Sequence, residues 1–252
     1  MPNPAPERPG RRASDRGRYG RLSRDRVLAS ALEVVDRDGL SGLSMRKLGA
    51  ELGVEAMALY RYANGKDGLL DGLVEAFCVE LETELEGLAE GPGEGAGDAR
   101  LPSWHGELLR IADATYRVAL RHPHVVPLLS TRLHSTPLAR RPAAVLRSDE
   151  RILALLDEAG LSTQEAVRVH RAFTAWLLGY LTVELRAMDD DPDEPDPAFR
   201  LGLHRLPANE LPRLRATAAD LAEQGGPGQL ADGLRALLSR FPRSVPPGTV
   251  KG

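Results

Sequence analysis

The chain of 252 residues holds one cysteine, Cys78, and only three lysines, Lys47, Lys66 and Lys251, among its 33 Lys and Arg. A single thiol excludes an internal disulfide framework and fits a reducing compartment. Aromatic residues make up only 4% of the chain, which leaves Leu, Ala and Val to fill the core. No apolar run approaches the roughly 20 residues that span a bilayer. The most apolar stretch, Ala172–Val183, is short and meets Glu184 and Arg186. The N-terminal arginines have no apolar segment behind them, so they do not read as a secretory signal. A cytoplasmic protein without a membrane partner is expected.

Sustained alternation of β-branched and polar residues is also missing, which argues against a sheet. So are the local signatures of catalysis. There is no GxSxG, no P-loop, no GxGxxG before a helix, and no HExxH or cysteine-rich spacing. The six histidines, His105, His122, His124, His134, His170 and His204, are scattered and read as structural or pocket-lining. The expectation is an all-α protein that is not an enzyme and has no metal and no cofactor.

What is present is a charge asymmetry hidden inside a net charge of −3. Up to Lys66 there are 13 Lys and Arg against 8 Asp and Glu; beyond it the balance is 20 against 28. A basic head of this kind suits phosphate, and the acidic remainder suits a separate sensing or assembly body.

Residues 1–22 combine Pro, Gly and Arg without periodicity. They read as a flexible arm that follows a DNA backbone or minor groove, or as a solvated tail. Ser23 then caps a helix with an apolar stripe of Val27, Leu28, Ala31, Leu32 and Val35, closed by Gly39. Ser44 caps the next, in which Met45, Leu48 and Leu52 share a face. Gly53 stands where a left-handed C-cap wants no Cβ, and Val54 restarts the apolar pattern at once. In the following helix Ala58, Leu59 and Tyr62 share one side. Ala56, Met57, Tyr60 and Arg61 share the other. A tight turn between two short helices, with that outer face, reads as a helix-turn-helix for a major groove or as an ordinary helical hairpin. Asn64-Gly65 is a turn, and Lys66 opens a longer helix reaching toward Leu88.

After the Gly-rich break at 91–97, further helices are expected near 103–121, 123–131, 137–159, 163–187, 208–223 and 229–241. An acidic, proline-broken stretch lies at 189–197. The division is an arm (1–22), a DNA-binding head (23–66) and a body (67–252).

With these residues in hand, the chain resembles the TetR family of one-component transcriptional regulators. The run LGVEAMALYRYANGKDGLLDGL carries the resemblance, through Gly53-Val54, Leu59-Tyr60, Tyr62, Lys66 and Leu69-Leu70. The body resembles the tetracycline-repressor branch more weakly, through helix order and the AWLLGYLTVEL segment at 175–185. The resemblance implies a three-helix head, a helical ligand-binding and dimerisation body, and a homodimer on a palindromic operator. It implies guanine reading by Arg46, and phosphate contacts from Ser44, Tyr60 and Lys66. Ala56 and Met57 depart from a glutamine-proline pair, and Arg61 and Tyr62 from a tryptophan-histidine pair, so the operator should differ. With Met45, these complete the expected contact set. Leu128 stands where a magnesium-binding histidine would be, so no metal-tetracycline site is carried over.

Trp104, Tyr116, Phe173, Trp176 and Tyr180 are the large side chains of the body. They read as the lining of a pocket for a largely apolar effector, or as plain core. Ala172, Ala175, Gly179 and Val183 recur at helical spacing, and Leu234, Leu237 and Leu238 give the last helix an apolar stripe. Both rows are expected in a dimer interface. The chain therefore reads as a ligand-responsive repressor. The alternatives are a helical carrier or enzyme with a vestigial head, and a DNA-binding protein without an effector.

Overall fold

A computed structural model describes residues 22–90, 103–185, 209–222 and 225–241, with Pro195, Phe199, Gly202 and residues 205–207 besides. The arginine-rich arm, the glycine break, nearly all of the acidic stretch and His204 lie outside the described residues. Among those described there are ten α-helices and no strand.

The head begins with α1 (Arg24–Gly42), where the Ser23 hydroxyl accepts the Arg26 N–H at 3.2 Å. Its helical path breaks at Gly39, whose φ of 70° only glycine adopts freely. Val27, Ala31 and Val35 are fully buried, as is Val34, while Leu32 is only half-buried. Helices α2 (Met45–Leu52) and α3 (Ala56–Leu59) follow, then α4 (Gly65–Glu90).

The body comprises α5 (Ser103–Arg121), α6 (Val126–Ser135), α7 (Ala143–Glu158), α8 (Thr163–Glu184), α9 (Pro212–Ala222) and α10 (Gly226–Leu238). Proline sets several of these starts. The single helices expected near 123–131 and 137–159 are each a 3₁₀ turn followed by an α-helix, with turns at Pro123–Val125 and Leu138–Arg140. Pro142 caps α7, because a proline further inside would lack the N–H that the helix needs. A capping box opens α8: the Ser162 hydroxyl accepts the Glu165 N–H, and the Glu165 carboxylate accepts the Ser162 N–H at 3.0 Å.

The middle of the molecule is α4. Leu69, Leu73, Phe77, Leu81 and Leu85 recur every four residues and are all buried. Side chains at that spacing share one helical face, so the row is a continuous seam. It packs on α1 at the head end and on α5 and α7 in the body. Burying each such side chain contributes roughly 1.5–3 kcal/mol, which makes head and body one core.

One expectation is corrected here. Leu234 and Leu238 of α10 are fully buried within the protomer, where α10 packs on α5 and α8, and Leu237 is half-buried. Leu234 and Leu238 are spent on this chain's own core, which leaves only Leu237 of the stripe partly open. By contrast Ala175, Gly179 and Val183 of α8 are exposed, and Ala172 is half-buried.

Candidate DNA-binding surface and ligand cavity

The link between α2 and α3 is as tight as its sequence suggests. The Ser44 hydroxyl accepts the Lys47 N–H at 3.2 Å, and Gly53 adopts the left-handed conformation at φ 66°. The Val54 N–H then donates back to the Gly49 carbonyl at 2.9 Å. Gly49 permits this close return. A Cβ there would lie 2.8 Å from the Val54 carbonyl oxygen and 3.2 Å from the Ala56 nitrogen. Both are backbone atoms that cannot swing aside. Gly49→Ala is therefore expected to lower stability by about 1–2 kcal/mol, because the overlap outweighs the better helix propensity of alanine. Urea unfolding checks this, and an unchanged or raised midpoint would show that α3 moves away freely.

With Leu59 fully buried beneath it, the segment presents Met57, Tyr60 and Arg61 to solvent, and Ala56 is half-buried. Met57 is 76% exposed, a large apolar side chain left open among the described residues. Arg46 is exposed on α2 and forms no ion pair among the described residues. Its neighbour Lys47 is held by Asp38 at 2.8 Å, and Arg37 binds both Asp38 and Glu51. Lys66 is exposed, and its ammonium donates to the Leu40 carbonyl at 3.2 Å. Two of the expected contact residues turn inward. Met45 packs against the head core, and the half-buried Tyr62 donates its hydroxyl to the Leu22 carbonyl at 2.8 Å. Tyr62 thus pins the end of the α3 turn to the start of α1.

The body contains a cavity of about 470 Å³ walled by α4, α5, α6, α7 and α8, a size suited to a small organic molecule. Phe77, Leu81, Ile111, Phe173 and Leu177 give it apolar walls, and Thr115 and Ser148 add hydroxyls. Cys78 belongs to the same wall. Burial, with the negative charges of Asp149 and Glu82, pushes its thiol up to about 12, so it stays neutral.

Of the five aromatics expected at a pocket, Phe173 alone lines this cavity. Tyr116, Trp176 and Tyr180 are brought together elsewhere. Trp176 stacks on Tyr180 with ring centroids 5.4 Å apart, and Tyr116 lies 6.4 Å from Tyr180. This group meets α10: a Cβ on Gly233 would lie 2.7 Å from the Trp176 ring, and the Tyr180 hydroxyl donates to the Gly226 carbonyl at 2.8 Å. Burial, with Glu184 nearby, pushes the Tyr180 phenol up to about 12, which keeps that donor in place. Trp104 is buried against His105, and the indole nitrogen of Trp104 has no hydrogen-bond partner among the described residues. Leu128 is buried, and its neighbour Leu129 lines the cavity.

Polar ties cluster around α4 where head meets body. His122 has Asp36 of α1 at 2.7 Å from Nδ1 and Glu80 of α4 at 2.7 Å from Nε2. Arg132 of α6 holds Asp67 and Asp71 at 2.8 and 2.7 Å. Sequence reasoning did not single out these ties as a unit. Among the described residues, no helix is long and apolar enough to cross a membrane, and no group of three or more His, Cys, Asp or Glu is placed to hold a metal.

Comparison with known proteins gives the same architecture. Residues 27–73 match the family model for bacterial regulatory proteins of the tetR family, and residues 96–239 match the tetracyclin repressor-like C-terminal domain. The HTH-type transcriptional repressor DrrR1 of Streptomyces coeruleorubidus is 32% identical over 170 residues, 68% of this chain. That match spans 56% of the relative's own length. A possible TetR family transcriptional regulator from Streptomyces coelicolor A3(2) superposes with a TM-score of 0.63 at 25% identity, over 86% of this chain and 97% of that one. The Streptomyces coelicolor TetR family protein ActR, in complex with actinorhodin, superposes with a TM-score of 0.63 at 22% identity, over 87% and 96%.

Proposed function

Since the chain belongs to the TetR family, we propose that it is a ligand-responsive DNA-binding transcriptional regulator. In this reading a homodimeric repressor leaves a palindromic operator when a small, largely apolar effector binds. Residues 23–66 form the DNA-binding head, 67–252 the regulatory and dimerisation body, and the arm 1–22 assists on DNA. The chain is not an enzyme, and it works in the cytoplasm, where its operator is. The name of the relative from S. coeruleorubidus supports repression, and the actinorhodin complex of ActR supports a small-molecule effector.

One observation carries the reading. The α4 seam that fixes the head through Leu69 and Leu73 also walls the cavity through Phe77, Leu81 and Leu85. A ligand that spreads the cavity wall must therefore push on the helix that sets the head's orientation. An effector shifts the equilibrium only if it prefers one orientation, since equal affinity for both shifts nothing. Bound half-sites lie roughly 34–36 Å apart, so a few ångströms of tilt misplaces one head.

The test begins with the DNA that the full chain retains from sheared genomic fragments, followed by titrations on that site and on a shuffled one. Arg46→Ala should cost about 1–3 kcal/mol on the retained site and relax preference at one guanine per half-site. Lys66→Ala should weaken both sequences alike and flatten the salt slope by about one ion per lost phosphate contact. Wild-type binding that ignores both sequence and salt would sink the regulatory reading. Equal, sequence-blind losses in the two variants would sink the role of Arg46 alone.

A further inference from the structure

The cavity's walls are apolar, but its charged residues do not balance. Four carboxylates, Glu82, Glu86, Asp149 and Glu150, line it against two guanidiniums, Arg147 and Arg151. Arg147 and Glu82 neutralise one another through paired bonds of 2.8 and 3.0 Å. Asp149 is shared between His170 at 3.1 Å and Arg141 at 3.5 Å. Arg151 leans toward Glu107 at 3.9 Å, and Glu107 is already gripped by Arg110. That leaves Glu86 of α4 and Glu150 of α7, both exposed and without an ion pair among the described residues, against the loosely held Arg151, an excess of one negative charge. An anion entering such an apolar space meets repulsion at the rim and desolvation behind it. A cation meets attraction at the rim and keeps its charge near water.

We propose that this cavity takes a lipophilic cation, an apolar body in its depth with a protonated amine or quaternary centre held at the rim by Glu86 and Glu150. The proposal rests on the reading of the cavity as the effector site, and it adds the effector's chemical class.

Tetraphenylphosphonium and tetraphenylborate share one shape and carry opposite charge, so they separate charge from apolar fit. Calorimetric titration of the full chain at low salt should give tighter binding of the cation by about tenfold or more. Glu86→Gln with Glu150→Gln changes two exposed residues and should leave the fold intact. It should weaken the cation by about three- to tenfold, in line with exposed charge pairs, and spare the anion. Ile111→Trp fills the cavity and should abolish binding of both ions, with circular dichroism and urea unfolding confirming that the variant folds. Equal affinities, or a preference for tetraphenylborate, would overturn the charge class while leaving an occupied cavity. Cation binding that survives in Ile111→Trp would place it elsewhere and overturn the site. No binding of either ion would overturn the proposal outright, and the operator titrations judge the regulatory reading independently.

Discussion

Gly179→Arg is expected to leave the protomer folded, yet to abolish the dimer and about two to four orders of magnitude of operator affinity. Within the protomer the substitution has room, because a Cβ on Gly179 would meet nothing within 4 Å. Around it on α8 lie the exposed Ala175 and Val183, the latter 69% exposed. Small residues in such a row let two helices approach closely, and an arginine forced between them brings an unpaired charge into an apolar contact. The loss on DNA is larger than the loss of any one contact. Linking two heads turns the second half-site encounter into an intramolecular one at millimolar effective concentration, and a monomer forfeits that gain. Light scattering at micromolar concentration and titrations on whole and half operators test both parts. A variant that stays dimeric would move the interface elsewhere, to the exposed Leu211, Leu214 and Leu221 on and beside α9.

That row illustrates what could and could not be read from the sequence. Periodicity identifies a face but not what the face meets. The α8 row and the α10 stripe looked alike as patterns, yet Gly179 and Val183 face solvent while Leu234 and Leu238 fill this chain's own core. The head was legible nearly to the residue because its geometry is local: Ser44 caps the next turn, and Gly53 makes the bend beside it. Tyr62 was harder. Its hydroxyl finds a carbonyl 40 positions away, at Leu22, which no helical spacing predicts. The cavity was harder still, since a void belongs to five helices at once and to no segment. Large aromatics drew attention, but Trp176 and Tyr180 are spent on docking α10. Smaller residues, Ile111, Thr115 and Leu177, leave the space open. A hydroxyl at Thr115 on an otherwise apolar face of α5 was the one local hint.

His122→Ala is expected to separate ligand sensing from DNA release. Allosteric coupling of the usual size, about 1–3 kcal/mol, changes affinity between sites by roughly 5–150-fold. His122 stands where that coupling has to pass. It directly follows α5, whose Ile111 and Thr115 line the cavity, and contacts Glu80 on α4, which supplies the opposite wall. Its other nitrogen faces Asp36 on α1, so cavity walls and head meet at one imidazole with only 12% of its side chain exposed. Both contacts are 2.7 Å, short enough that motion of α4 or α5 must strain one of them. Alanine leaves Glu80 paired with Arg121 at 2.6 Å, but strands Asp36, whose other oxygen is already buried without a partner among the described residues. That should cost about 1–3 kcal/mol of stability, so Asp36→Ala with His122→Ala is the cleaner variant. In both, operator affinity without effector should stay within about threefold of wild type, because the recognition surface keeps its own core. The effector's leverage on the operator should fall to about threefold or less, a near-complete loss on the scale of ordinary coupling. Operator titrations with and without saturating effector measure both quantities. Undiminished release would mean that the α4 seam of Leu69, Leu73 and Phe77 transmits the motion alone, through packing rather than through charge.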